Sequence, residues 1–167
     1  VKIDHRAQLT GEIIERNIKN SHSTHIAVVH NETTTGIQNC LEDISVVAKK
    51  YNKKIILDAL SSFGGIPINI NSLDIDYLVG SSNKCLHGYP GLGFVLVKRD
   101  VLEESKNMAR SLSLDLYSQF IDLHQKEQFR YTPPVQVITS LDESINELIN
   151  YGGIEKRNKL YQTMNDI

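Results

Sequence analysis

At 167 residues, 40% hydrophobic and 23% charged, the chain has the composition of an ordinary soluble globular domain, large enough to bury a sizeable core. Lys plus Arg number 18 against 20 Asp plus Glu, a formal charge of -2, so nothing electrostatic points to nucleic acid or an anionic membrane; a small-molecule partner fits better. The two cysteines, Cys40 and Cys85, are too few for a disulfide framework and match no metal-ligand spacing, so both read as free thiols in a reducing, cytoplasmic setting.

No apolar run approaches the roughly 18 to 20 residues needed to span a bilayer, and no charged-then-apolar leader precedes the first helical pattern. The chain starts at Val1 rather than Met, and its last residues, Gln162 to Ile167, continue a helical pattern with no stop signal, so it reads as an excerpt from a longer protein.

Leu9, Ile13, Ile14 and Ile18 recur at helical spacing after His5 and Arg6, and the polar stretch from Asn20 to Ser23 closes that helix. Ile26 to His30 is a short β-branched run without alternation, the pattern of a buried parallel strand covered on both faces. It leads into the polar loop Asn31 to Gly36. A second helix is predicted from Asn39 as N-cap, with Leu41, Ile44, Val47, Ala48 and Tyr51 on one face and Lys49-Lys50 at its end.

Lys54 to Asp58 is a second strand ending in a carboxylate, Tyr77 to Gly80 a third, and Gly93 to Val97 a fourth beyond a glycine-rich turn through Gly88 and Gly91. Those glycines precede a strand instead of opening a helix, so the dinucleotide fingerprint fails and they read as turn glycines. Helices are predicted over 101–109, 117–126 and 135–150, the last with Val135, Ile138, Leu141, Ile145 and Leu148 in a stripe; Gly152-Gly153 breaks it before a final amphipathic helix. Strand, helix, strand, crossover and strand make the fold α/β, a mainly parallel sheet with helices on both faces.

In such sheets ligands sit beyond the carboxyl ends of the strands, and three polar clusters fall there: His30 to Gly36, Asp58 to Ser62 and Ser81 to Lys84. Lys84, at the end of an apolar strand and followed by Cys85, would be partly desolvated, which favours the neutral amine that condensation with an aldehyde requires. Taken alone, a surface lysine is the commoner reading. Asp58 ends an otherwise apolar strand, where an unpaired carboxylate is costly and calls for a cationic or donor partner, although aspartates also cap such strand ends. The threonines of the 31–36 loop suit hydrogen bonds to a ring hydroxyl or phosphate and serve equally as turn formers. His5, His22, His25, His87 and His124 share no metal-ligand spacing, and Arg110 and Arg130 read as structural ion-pair residues as readily as anion binders.

The ordered set VVHNETTTG (28–36), ILDALSSFGGIPI (56–68), SSNKC (81–85), GYPGLGFVLVKR (88–99), NMARSLSLDLY (107–117) and RYTPP (130–134) resembles the 2-aminoethylphosphonate–pyruvate transaminases, class V, fold-type I pyridoxal-phosphate (PLP) enzymes. The resemblance runs from about Thr24 to Tyr151. It implies that residues 1–167 are part of a PLP-binding large domain, with the helical 135–167 segment leading toward a C-terminal domain. Lys84 would carry the cofactor and shuttle the substrate proton, and Asp58 would pair with the pyridine nitrogen. Thr34 would lie near the ring hydroxyl, Asn83 would bind the phosphate, and Thr132 would reach the phosphate of the other subunit in a homodimer.

The family is longer at both ends. There it carries a phosphate-binding turn, an aromatic residue that stacks on the ring, and an arginine for the substrate anion. The reaction implied is amino transfer from 2-aminoethylphosphonate to pyruvate, giving phosphonoacetaldehyde and L-alanine in phosphonate catabolism. Alanine–glyoxylate or serine–pyruvate transamination is the neighbouring alternative, and a catalytically inactive scaffold the more distant one.

Overall fold

The computed structural model describes Asp4 and residues 6–166, so the expectation for His5 lies outside the described residues. Helix α1 (Gly11–Ile18) starts at Thr10, whose hydroxyl accepts a hydrogen bond from the Ile13 amide, and it buries Ile14 and Ile18. Then come β1 (His25–Val29), α2 (Leu41–Lys50), β2 (Lys54–Asp58), β3 (Tyr77–Ser81) and β4 (Gly93–Val97). Helices α3 (Arg99–Glu104), α4 (Leu116–Lys126), α5 (Val135–Tyr151) and α6 (Gly153–Asn165) complete the order. Among the described residues no helix is long and apolar enough to cross a membrane.

The four strands form one sheet in the order β1-β2-β3-β4, with β1, β2 and β3 parallel and β4 antiparallel to β3. A parallel connection needs a crossover of about a dozen residues or more, usually a helix; the link from Ser82 to Leu92 contains none, so β4 returns in the opposite direction. The sheet is therefore mixed and mainly parallel.

Alternate residues of the strands decide where the core sits. Ile26, Val28, Ile55, Leu57 and Leu78 are buried with Ile14, Ile44, Val47 and Ala48 of α1 and α2, and Leu57 and Leu78 are fully enclosed. Each of the Ile, Leu and Val side chains contributes about 1.5–3 kcal/mol by leaving water. Behind them Asp76, itself buried, accepts the Ile55 amide at 2.8 Å and pairs with Lys98 at 3.0 Å, tying the start of β2 to the segment entering β3 and the end of β4.

The opposite face differs from expectation. Ala27 is exposed and Ile56 and Val79 are half-buried, so β1 is covered on one face only, while α4 reaches the sheet at its β4 edge. An apolar run reports that both faces of a strand favour cover; it carries no information on which segment supplies it.

Three further expectations change. Asn39 does not cap α2: the cap is Cys40 with no side-chain bond. Asn39 is instead buried, with its side-chain amide donating to the Val29 carbonyl at 2.9 Å and its oxygen accepting the Leu9 amide at 2.8 Å. A bridge between two distant backbone groups outweighs a local cap because both groups, partly shielded from water, would otherwise lack a partner. Helix α3 ends at Glu104 and not Ala109, since the Ser105 hydroxyl bonds the Leu102 carbonyl and Asn107 turns left-handed at φ 63°.

In α5 the expected stripe is only partly covered: Val135 and Ile145 are exposed, Ile138 and Leu141 half-buried, and full burial is confined to Ser144 and Leu148, because α5 packs chiefly on α6. The break between the two helices falls where expected, at Gly152, with φ 115°.

Asn39→Ala is expected to cost about 1–3 kcal/mol in urea unfolding by orphaning the Leu9 amide and the Val29 carbonyl. Asn39→Ser, a good helix cap, should not recover it; full recovery would mean that capping, not bridging, is what Asn39 supplies.

Candidate active site

The parallel register aligns the carboxyl ends of β1, β2 and β3. Val29 is opposite Asp58, and Asp58 is opposite Val79, so the loop after β1, the turn after β2 and the Ser81–Lys84 segment emerge side by side. Asp58 is half-buried; its Oδ1 accepts the Leu60 amide at 3.0 Å, a bond that shapes the turn and leaves the rest of the carboxylate for another partner.

Two bonds hold the β1 loop to that turn. His30 donates its backbone amide to the Asp58 carbonyl at 2.8 Å, and its Nδ1 shares a 2.8 Å hydrogen bond with the Ser62 hydroxyl, both side chains being enclosed. Burial away from water holds the His30 imidazole below its ordinary pKa, the Glu42 carboxylate opposing this weakly. Farther out, Thr33 and Ser61 join their hydroxyls at 2.6 Å.

The resulting cleft, about 280 Å³, is lined by Asp58, Lys84, Thr34, Glu32, Thr33 and Ser61 among others. The structure thus brings together three of the residues singled out from sequence: Lys84, Asp58 and Thr34. It does not bring in the other two. Asn83 is exposed beside Lys84, and Thr132 lies on a separate apolar groove between β4 and α4 with Phe94, Phe120 and Tyr131. The expected desolvation of Lys84 is also absent: its side chain is exposed, because the described residues leave this face of the sheet uncovered. A larger cavity, about 970 Å³, lies elsewhere, between the start of α2 and the 67–73 loop, and contains neither Asp58 nor Lys84.

A PLP-sized group needs an apolar floor for its ring, a carboxylate for its nitrogen and donors for its oxygens. The floor is the open sheet face of Ala27, Ile56 and Val79, continuous with Asp58. A donor that sequence reasoning missed is Ser81: its Oγ is buried and has no hydrogen-bond partner. Ser81 follows Val79 by two residues, so the strand alternation puts its side chain on the Asp58 face, a signal available from the period-2 pattern once the register is known. An orphaned hydroxyl beside an underused carboxylate fits a polar ligand, and these residues fit the cofactor. Cys85, next to Lys84, is half-buried; burial pushes its thiol above the usual range, so it stays protonated and donates to the Ser61 carbonyl at 3.4 Å.

The remaining candidates lie outside this cleft. Arg130 lies 3.5 Å from Asp115 and 3.9 Å from Asp122, Arg110 is exposed, and His124 stacks on Phe120.

The family description Aminotransferase class-V matches residues 1–166. The chain belongs to the class-V aminotransferase family. Membership implies pyridoxal phosphate as cofactor.

Among curated relatives, the chain is 46% identical over 143 residues to a 2-aminoethylphosphonate–pyruvate transaminase of Bacteroides fragilis (strain YCH46), covering 85% of this chain and 40% of that protein. It is 44% identical over 147 residues to the enzyme of that name from Lysinibacillus sphaericus (strain C3-41), covering 88% and 40%. The chain therefore spans about 40% of the length of the curated relatives it matches. The class-V fold is shared with alanine–glyoxylate aminotransferase from Nostoc sp., at TM-score 0.84 and 18% identity over 98% of this chain and 44% of that one.

The buried His30 generates a pH prediction. Its folded pKa lies below the unfolded value of about 6.5, so the unfolded state binds the proton first. The contribution is present in full above pH about 6.5 and is lost as pH falls from there through the depressed folded value. Urea unfolding should show stability declining over that window, and His30→Gln should remove this part of the slope; an unchanged slope would contradict the assignment.

Proposed function

We propose that this chain carries the cofactor-binding core of an aminotransferase that moves the amino group of 2-aminoethylphosphonate to pyruvate, giving phosphonoacetaldehyde and L-alanine. The observation that carries the reading is the 44–46% identity to relatives of that name together with the convergence of Lys84, Asp58 and Thr34 on one cleft. Residues 1–167 are then part of the large PLP domain, and the helical 135–167 segment leads toward a further domain.

Bound PLP supplies an aldehyde and an electron-withdrawing ring that stabilises negative charge on the carbon of an amine substrate. The residues of this chain do the rest. With that group bound, the Lys84 amine would hold it and, once freed, would serve as general base and acid, moving a proton between the substrate carbon and the cofactor. The Asp58 carboxylate pairs with the pyridine nitrogen and keeps it protonated. Thr34 donates toward the ring hydroxyl, and Asn83 toward the phosphate.

Thr132, on a groove separate from Lys84, serves the phosphate of the second subunit in a homodimer. Two free thiols, Cys40 and Cys85, fit a reducing, cytoplasmic compartment.

The full-length protein, given PLP, should develop a lysine-linked absorption band that borohydride fixes at Lys84, and Lys84→Ala should abolish both band and activity. Asp58→Asn should keep the adduct yet lower turnover by about a hundredfold, the loss typical of removing one charge-stabilising group. Alanine formed from pyruvate faster with another amine than with 2-aminoethylphosphonate would overturn the substrate; no adduct at Lys84 would overturn the whole reading.

A further inference from the structure

Helix α6 is far from Lys84 in sequence but lies against the loop that follows it. The left-handed pair Gly152 (φ 115°) and Gly153 (φ 81°) turns the chain after α5 and sends α6 across the loop that follows Lys84. Three of its side chains then bind that loop or the turn beside it. Arg157 donates to the Cys85 carbonyl, Asn158 donates to the Gly65 carbonyl at 3.0 Å, and the Tyr161 hydroxyl shares a 2.9 Å hydrogen bond with His87 Nε2.

Arg157 is the informative member. It is 7% exposed, and among the described residues no carboxylate pairs with it. Burying a guanidinium is costly unless its donors are used, and a backbone carbonyl is a weaker partner than a carboxylate. The charge is spent on the carbonyl of the residue directly after Lys84, a contact that fixes loop position while adding little as an ion pair. Packing reinforces the polar contacts: a Cβ on Gly65 would come within 2.7 Å of the Cys85 sulfur and 3.1 Å of the Tyr161 ring, so the 59–65 turn, the Lys84 loop and α6 meet with no spare volume. Tyr161 also closes one side of a cleft of about 280 Å³ that it shares with Lys84, Cys85, Asn31, Thr33 and Ser61.

We propose that Arg157, Asn158 and Tyr161 form a positioning clamp through which α6 sets the location of Lys84 relative to Asp58. The clamp deepens the reading of Lys84 as cofactor lysine and rests on it. Lys84 itself is exposed, so its place is determined by the backbone that bears it, and that backbone is held from α6 on one side and from β3 on the other through the Ser82 carbonyl, which accepts the Gly88 amide at 2.8 Å. None of the three clamp residues is a catalytic residue; they act through the loop.

The test uses the full-length protein with Arg157→Met, which keeps the apolar stem and removes the donors, Arg157→Lys, Tyr161→Phe, and Lys159→Ala on the exposed side of α6. In cofactor-free protein, amide exchange over 85–88 should rise about tenfold in Arg157→Met and stay at the parent level in Lys159→Ala. In the PLP-loaded protein, the pH midpoint of the lysine-linked absorption band should move by roughly half a unit, a threefold change in the protonation equilibrium. Arg157→Lys should restore much of both effects, and Tyr161→Phe should shift the midpoint less.

Faster exchange with an unmoved midpoint would overturn the proposal, leaving Arg157 a structural residue only, and so would unchanged exchange. Should Arg157→Met fail to fold, Tyr161→Phe decides by the same midpoint. A parent protein with no lysine-linked band would instead remove the reading of Lys84, while the exchange measurement would still decide whether α6 holds the loop.

Discussion

Everything at the candidate site depends on the parallel register of β1, β2 and β3. Because Val29, Asp58 and Val79 stand in one row, the three polar segments that follow these strands leave the sheet at the same edge and face one another. A shift of β2 by one residue would turn Asp58 to the α1–α2 face and Leu57 toward the cleft, reversing core and chemistry together. The register is specified by the buried face: Leu57 and Leu78 are fully enclosed, and Asp76 ties the Ile55 amide to Lys98, so slippage would expose apolar surface and orphan a buried carboxylate.

The two faces of the sheet divide the work. The α1–α2 side is packed, and every buried polar group discussed there has a partner: Asn39, His30 with Ser62, Asp76 with Lys98. The other side carries the exposed Ala27, the underused carboxylate of Asp58 and the orphaned Ser81 hydroxyl. Unsatisfied capacity gathered on one face beside a lysine marks where a ligand would recover the cost of leaving those groups unpaired. The rigid face supports the reactive one, since the bonds of His30 and the Thr33–Ser61 pair fix loops whose outer side chains stay free for chemistry.

The geometry sets out how the three candidate groups are held. Lys84 lies on a loop held from two directions, Asp58 at the end of a strand enclosed on one face, and Thr34 on a loop pinned to the turn after Asp58. Thr132 and Asn83 stand apart from the cleft within one chain.

The sequence by itself determined the strands, the main helices, the α/β class and the candidates Lys84, Asp58 and Thr34, because strand runs, helical periodicity and polar residues at strand ends are local signals. It also carried the family resemblance. Only the tertiary structure decided what depends on distant partners: that Asn39 bridges Leu9 and Val29 instead of capping α2, that one sheet face is open so Lys84 is exposed, that Ser81 has an unused hydroxyl on the Asp58 side, and that α6 reaches the Lys84 loop. The physical reason is the same in each case. Hydrogen-bond partners and burial are properties of segments brought together by folding, and no single stretch of residues encodes its neighbours.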